Sequence, residues 1–349
     1  MTRTMRAAVL HGREDVRVAC VELRAPGPGE VLLRTRAALT CGTDVKVFRR
    51  GYHARMLRPP GLFGHEVAGV VEEAGEGVAV AAGTPVVVAN SAPCGGCAPC
   101  EDGRTSLCDD LQFWNGAYAE FALIPARIVA KNLLPLDPGM SFREAAMCEP
   151  LACVVRGIEQ SGVRAGQTVG VIGAGPIALM LVALARLRGA QVVVVGRNVG
   201  RLRKARELGA HEVVDASTGG DVAAELRRLS RGGLGPDVVV EAAGQVETAE
   251  AALRAVRKGG LVNLFAGCPA EARLALDAAR LHYDEVTVTS SFHHTPESFR
   301  AAFRLIAERK VDPRAFITSE EPLDSVPAVM QRLAQGADGL KVAILPWGA

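Results

Sequence analysis

The sequence predicts an α/β protein of two unlike parts, a β-rich domain and a doubly wound, parallel α/β domain. Three observations carry that expectation. The chain has 349 residues, more than one compact hydrophobic core ordinarily serves. Up to about residue 150 it runs in short β-branched stretches broken by glycine and proline. From about residue 166 the rhythm changes to strands alternating with helices.

In the first part EVLLRTRAAL, VAGVVEEAG, GTPVVVAN and YAEFALIPARIVA read as strands separated by turn residues, the pattern of an all-β unit. In the second, QTVGVIGAG is a strand, and PIALMLVALARLRG is an apolar helix with Pro176 in its first turn. The strand QVVVVG, the helix VGRLRKARELG closed by Gly209 and the strand HEVVDA follow. Then come the helix DVAAELRRLS, the strand PDVVVEAAG, the helix ETAEAALRAVRKGG and the strands LVNLFAG and EVTVTSS. Such alternation implies a parallel sheet with crossovers on both faces. Beyond about residue 291 an amphipathic helix carries Phe299, Phe303 and Ile306 on one face, and LKVAILP is a last strand. The tail is expected to rejoin the first part. One domain then comprises residues 1–150 and 292–349, and the other, residues 151–291, lies inserted in it.

Composition narrows the class of function. Hydrophobic residues at 49% and charged residues at 22% are ordinary for a globular enzyme. A formal net charge of +2 supplies no strong field for nucleic acid or a membrane surface, so neither is expected as a partner. The start, MTRTMRAAVLHG, lacks the apolar core of a signal peptide. No uncharged apolar run approaches the roughly 18 residues of a membrane span. A cytoplasmic location is the expectation. In that setting nine cysteines read as metal ligands, reactive thiols or packing before disulfides.

VIGAGPIA sets Gly173, Gly175 and Ala178 in a G-x-G-x-x-G/A pattern between a strand and a helix, the context that gives the pattern meaning. Gly173 would allow the tight turn, and Gly175 the approach of a pyrophosphate. Pro176 and Ile177 open the helix, whose N-terminus faces the anion. About 20 residues on, a carboxylate usually holds the ribose; here Gly196 and Arg197 occupy that place, with Arg201 one helical turn later. A carboxylate would repel a 2′-phosphate, whereas glycine leaves room and two arginines offer charged forks. This predicts NADP(H) in preference to NAD(H), with two merely solvated arginines as the alternative. Ala243, Ala266 and Ser291 complete the expected cofactor site.

PCGGCAPCEDGRTSLC spaces Cys94, Cys97, Cys100 and Cys108 as C-x2-C-x2-C-x7-C. Four thiolates on one loop match a closed, structural zinc site. A second set is dispersed: Cys41 in TCGTD, His65 and Glu66 in GHEVAGVVEEAG, and Glu149, beside Cys148, in MCEPLACVVRG. One thiolate, one imidazole and one or two carboxylates suit a catalytic zinc with an exchangeable position. Read singly, His65 is also compatible with a buried core histidine, and Cys41 with a small hydrophobe.

Together CGTD, GHEVAGVVEEAG, the four-cysteine loop and GAGPIA resemble, in order and over nearly the whole chain, the zinc-dependent medium-chain alcohol and polyol dehydrogenases. CEPLACVVRG is most similar to their sorbitol/L-iditol and threonine branch, in which a glutamate replaces a cysteine ligand. The resemblance implies a GroES-like catalytic domain and a Rossmann cofactor domain, with two zinc ions per chain, one catalytic and one structural. Cys41 and His65 would ligate the catalytic zinc and Glu66 would be a third ligand or nearly so. Glu149 would be a ligand or a partner of the water there. Asp44 would orient His65, and Thr43 would relay a proton. A hydride would pass between NADP(H) and a secondary alcohol or ketone. Tyr52, His53, Phe113 and Trp114 would flank the substrate, and His293 and His294 in SSFHHTPE would approach it. Such polar groups favour a small polyol or sugar-like molecule. An amino alcohol such as threonine or an amino-cyclitol is the alternative, and a non-catalytic nucleotide-binding protein on the same fold a remoter one. A homo-oligomer, tetramer or dimer, is also implied.

Overall fold

Val31–Leu39 is buried over most of its length, and it becomes the middle of the larger sheet. In the computed structural model, which describes residues 3–348, that sheet runs Leu133–Pro135, Pro85–Val88, Glu66–Ala74, Val31–Leu39, Lys341–Leu345, Ile317–Pro322. Phe121–Ile124 also pairs with Val31–Leu39. A smaller sheet sets Arg3–Gly12 between Asp15–Leu23 and Gly61–Leu62. The valine-rich strands present one face to a core that includes Leu33, Phe63, Val67, Val86 and Ile344, as β-branched side chains do on a pleated, half-buried surface. Lys341–Leu345 pairs antiparallel with Val31–Leu39 and parallel with Ile317–Pro322. The tail thereby supplies two strands to a sheet begun near the N-terminus. This unit holds the residues up to Ala152 and those from His294 onward; Cys153–His293 form the other.

The first unit carries more helix than its sequence pattern announces. In YAEFALIPARIVA only Phe121–Ile124 is strand; Pro125 ends it and begins the helix Ala126–Asn132. Proline has no N–H for a ladder, but its fixed φ suits the start of a helix. In the tail, Pro296–Ala307 buries Phe299 and Ile306, with Phe303 half-buried. A second helix, Val326–Ala334, and the strand Ile317–Pro322 also appear there. The latter reads ITSEEP and lies at the sheet edge, where charged residues and proline are tolerated and the apolar signal is lost.

The second unit is the doubly wound sheet that the sequence predicts. Its six strands run Glu212–Asp215, Gln191–Gly196, Thr168–Ile172, Val238–Glu241, Leu261–Leu264, Thr287–Ser290, all parallel. Thr168–Ile172, Gln191–Gly196 and Val238–Glu241 read as nearly unbroken apolar runs because helices cover both faces of a parallel sheet. Strand order reverses beside Thr168–Ile172, the position at which open α/β sheets bind ligands. Among the described residues no helix is long and apolar enough to cross a membrane.

Ile344 is fully buried in the core of the first unit. Its truncation to alanine is expected to cost about 2–5 kcal/mol, read as a lower urea midpoint at unchanged slope. A change within the surface-substitution range of about ±0.5 kcal/mol would exclude the tail from that core.

Candidate active site

Cys41 ends the turn between Val31–Leu39 and the helix Gly42–Arg50. It adopts an extended conformation and caps the helix, its Sγ accepting from Thr43 N at 3.4 Å, while Asp44 Oδ2 accepts from Cys41 N at 2.9 Å. This reciprocal box fixes the thiol and the carboxylate together. His65 stands immediately before Glu66–Ala74, with Nδ1 3.0 Å from Asp44 Oδ1, both side chains buried. An ionised carboxylate only accepts, so Nδ1 carries a proton, and it is Nε2 that would give up its own proton and present a lone pair to a metal. Burial opposes a charge on His65, yet Asp44 outweighs it and raises the imidazole well above its ordinary range. Burial likewise pushes the Cys41 thiol up, but His65 and Lys341 together leave it below its usual value. Thr43 is half-buried in the same helical turn.

Glu66 is entirely buried, and its two oxygens accept from Lys341 Nζ at 2.7 and 2.6 Å. Lys341 gives its third hydrogen bond to Thr40 O at 2.9 Å, which saturates the ammonium. Burial pulls Lys341 toward the neutral amine; the Glu66 carboxylate outweighs it and holds the lysine above its usual range. Ligand atoms of Cys41, His65 and Glu66 all lie within 4.8 Å of one another. A thiolate, an imidazole and a carboxylate at that spacing are a donor set that fits zinc.

Glu149 stands outside this group. It is buried in the first turn of the helix Cys148–Gln160, with Oε1 3.7 Å from His294 Nε2, which is 3.0 Å from Asn90 Oδ1. Burial raises its carboxyl above the usual range, and the charges of His65 and Lys341 reach it in the opposite sense. Cys148 is fully buried and burial alone pushes its thiol up, the behaviour of an inert packing residue.

Sulfur atoms of Cys94, Cys97, Cys100 and Cys108 also lie within 4.8 Å of one another. Cys94 N donates to Cys108 Sγ at 3.2 Å, and Cys97 Sγ is 3.7 Å from Cys108 Sγ. A hydrogen bond from the Gly96 amide draws the Cys94 thiol down to about 6, while burial pushes Cys108 up to about 12. Four sulfurs gathered in this way fit a closed tetrahedral zinc site, which would take all four as thiolates.

In the second unit Gly173 has φ +125°, donates to Val195 O at 2.8 Å, and would bring a Cβ to 3.1 Å from the Ala242 backbone; glycine alone suits that turn. Gly175 precedes the helix Pro176–Leu187 with no side-chain cap, and a Cβ there would meet no atom within 4 Å. Uncapped amides beside open space fit a pyrophosphate. Ala178 is fully buried and Ile177 half-buried. Gly196 has a second reason to be glycine: its Cβ would lie 2.6 Å from Ala174 Cβ and 3.2 Å from Leu202. Packing against the phosphate turn therefore excludes a side chain there, beside any demand of charge. Arg197 is exposed, and Arg201 is half-buried with its N–H bonded to Asn198 Oδ1 at 2.9 Å. The amides of Ala243 and Gly244 both donate to Glu241 Oε1 at 2.8 Å, and that of Ala266 to Glu241 O at 3.0 Å. Ser291 Oγ accepts from Asn263 Nδ2 at 2.9 Å.

Among the residues expected to flank substrate, Tyr52 is exposed and Phe113 half-buried. His53 is half-buried, with Nδ1 accepting from the amides of Arg55 and Met56. Burial and the positive charges of His65, Arg50 and Arg55 hold its imidazole below the ordinary range. Trp114 is buried in the hydrophobic core. Three residues of the site escape the sequence patterns: Lys341, Tyr118 and Asn90. Lys341 leaves one trace, a lysine heading the apolar run KVAIL, since a lysine on a fully buried strand must have a partner.

Comparison with known proteins finds relatives along both units of the chain. Residues 27–135 match the family model of the alcohol dehydrogenase GroES-like domain, and residues 176–308 that of the zinc-binding dehydrogenases. The chain is 27% identical to the sorbitol dehydrogenase of Bacillus subtilis over 99% of this chain and 98% of that protein. It is 30% identical to the L-threonine 3-dehydrogenase of Pyrococcus furiosus over 99% of both. A structure from Sinorhizobium meliloti, described as a zinc-binding dehydrogenase bound to NADP, superposes with a TM-score of 0.90 at 32% identity, covering 99% of this chain and 100% of that one.

Replacing Lys341 by methionine strands a buried carboxylate and is expected to cost about 3–5 kcal/mol. Lys341→Met with Glu66→Gln should recover part of that loss in urea and thermal unfolding. Equal losses in the single and double variants would remove the ion pair as the cause.

Proposed function

The chain belongs to the zinc-dependent medium-chain alcohol and polyol dehydrogenases, and from that premise we propose that it exchanges a hydride between NADP(H) and a secondary hydroxyl or ketone of a polyol or sugar-like substrate. The observation that carries this reading is the gathering of Cys41, His65 and Glu66 within 4.8 Å. Cys41 and His65 would hold the catalytic zinc, with Glu66 and Glu149 as the carboxylates available to complete its coordination. Cys94, Cys97, Cys100 and Cys108 would hold a second, structural zinc. When bound, zinc supplies a Lewis acid to the substrate oxygen, and the nicotinamide supplies or accepts the hydride.

The rest falls to the protein's own groups. Asp44 keeps His65 in the tautomer that leaves Nε2 available. Lys341 fixes the direction of the Glu66 carboxyl group through two hydrogen bonds. Thr43, in the turn after Cys41, would relay the hydroxyl proton. Gly173 and Gly175 would cradle the pyrophosphate, and Arg197 and Arg201 would take up the 2′-phosphate. The NADP bound to the Sinorhizobium protein supports that preference, and the sorbitol dehydrogenase relative supports a polyol. An amino alcohol is the second reading, favoured by the similarity to a threonine 3-dehydrogenase.

Initial rates over polyols, ketoses, simple ketones and threonine, with both cofactors, test the substrate. A polyol or ketose should give the highest kcat/KM, and threonine in that place would establish the second reading. Elemental analysis should find two zinc ions per chain; a single zinc and no turnover on any member of the panel would sink the reading. Arg197→Ala is expected to lose a charge-assisted contact of about 1.5–3 kcal/mol. That corresponds to a KM for NADPH raised about 10- to 150-fold, with KM for NADH little changed. Equal effects on both cofactors would remove Arg197 from a phosphate pocket.

A further inference from the structure

Tyr118 is fully buried beside the metal-binding residues, yet none of the chemistry above employs it. Its hydroxyl lies 2.5 Å from Asp44 Oδ2 and 3.1 Å from Leu39 O. The ring is clamped from several sides. Tyr118 N donates to Phe63 O, Tyr118 O accepts from Ala8 N, and the ring meets Phe63 edge-on at 5.6 Å. Gly64, which immediately precedes His65, has φ +89°, and a Cβ there would lie 2.7–2.8 Å from three ring carbons. The absence of a side chain at Gly64 is what lets the phenol reach Asp44.

We propose that Tyr118 is a positioning residue of the metal centre, acting on the ligands through Asp44. Asp44 offers two oxygens to three donors: Oδ1 to His65 Nδ1, and Oδ2 to both Cys41 N and the Tyr118 hydroxyl. One carboxylate thus sets the ring of one ligand and the backbone of another. Its own direction needs a restraint, because the terminal torsion of an aspartate is broad and gives no sharp preference. Cys41 N is part of the turn being positioned, whereas Tyr118 is anchored elsewhere in the core, so the phenol is the independent reference. A single hydroxyl proton faces two acceptors, and the charged one at 2.5 Å takes it in preference to a peptide carbonyl. Burial, together with Asp44 and Glu66, holds the phenol well above its ordinary range, so it remains a donor. Tyr118 does for Asp44 what Asp44 does for His65. Partners of this outer kind govern metal affinity by about 10- to 100-fold.

This inference rests on the reading that Cys41 and His65 hold zinc, and the test separates the two. Zinc transfer from the full-length, zinc-loaded protein to an excess of a chromophoric chelator is followed in Tyr118→Phe, Asp44→Asn, the double variant and Cys41→Ala. The release phase missing from Cys41→Ala reports this centre. Tyr118→Phe, which keeps the ring and its packing, should speed that phase about 10- to 100-fold with little change in the urea midpoint. In the Asp44→Asn background the same substitution should add nothing, because its effect passes through the carboxylate. An unchanged phase in Tyr118→Phe, or fully additive effects in the double variant, would overturn the role of Tyr118 alone. Two zinc ions retained by Cys41→Ala would overturn the metal-centre reading and this inference with it.

Discussion

Lys341 places a full positive charge where no water reaches, and such a charge persists only while all its hydrogen bonds are made within the protein. The three it finds come from two other stretches of chain: both oxygens of Glu66 and the carbonyl of Thr40. Thr40 directly precedes Cys41, and Glu66 directly follows His65. One ammonium therefore pins the backbone next to both Cys41 and His65. The same contacts fix strand register, for Leu39 faces Glu66 on one side and Ala343 on the other. Thr40 and Val342 close the arrangement with reciprocal hydrogen bonds. The tail strand completes the sheet and holds the cluster of Cys41, His65 and Glu66 through one set of interactions.

Asp44 supplies the complementary restraint. Lys341 fixes the backbone around Cys41 and His65, and Asp44 fixes where their side chains point, because its carboxylate engages His65, the Cys41 amide and Tyr118 together. The two devices depend on each other. Without the strand register set by Glu66 and Lys341, His65 would not reach the helix that carries Asp44. A buried site built in this way has little left to organise when a metal arrives, which is the condition for precise chemistry at a fixed point.

In the second unit packing decides which positions stay glycine. The turn at Gly173 and Gly175 lies where the strand order reverses; at Gly173 the φ of +125° and the nearby Ala242 backbone disfavour a side chain, and at Gly196 a Cβ would collide with Ala174 of that turn. The absence of a carboxylate at position 196 thus has a steric cause. Glu241, fully buried, organises the neighbouring turn by accepting from Ala243, Gly244 and Thr248. It is the counterpart of Asp44 in the first unit, a buried carboxylate that shapes backbone around a binding surface.

The sequence by itself determined whatever is local or periodic. Alternating strands and helices announced the doubly wound sheet, and the glycine turn and the four-cysteine loop were legible because each lies within a short stretch whose spacing is its chemistry. The dispersed donors Cys41, His65, Glu66 and Glu149 were legible as motifs and read together as one zinc set; the structure gathers the first three within 4.8 Å and leaves Glu149 outside. Only the tertiary structure decided what holds them. Lys341 is 275 residues from Glu66, Tyr118 is 74 from Asp44, and His294 is 204 from Asn90. Contacts at such separations impose no period on the chain, and each partner taken singly looks like an ordinary strand or loop residue. A buried polar group declares its need for a partner; which residue answers depends on strand register, and register exists only once the sheet has formed.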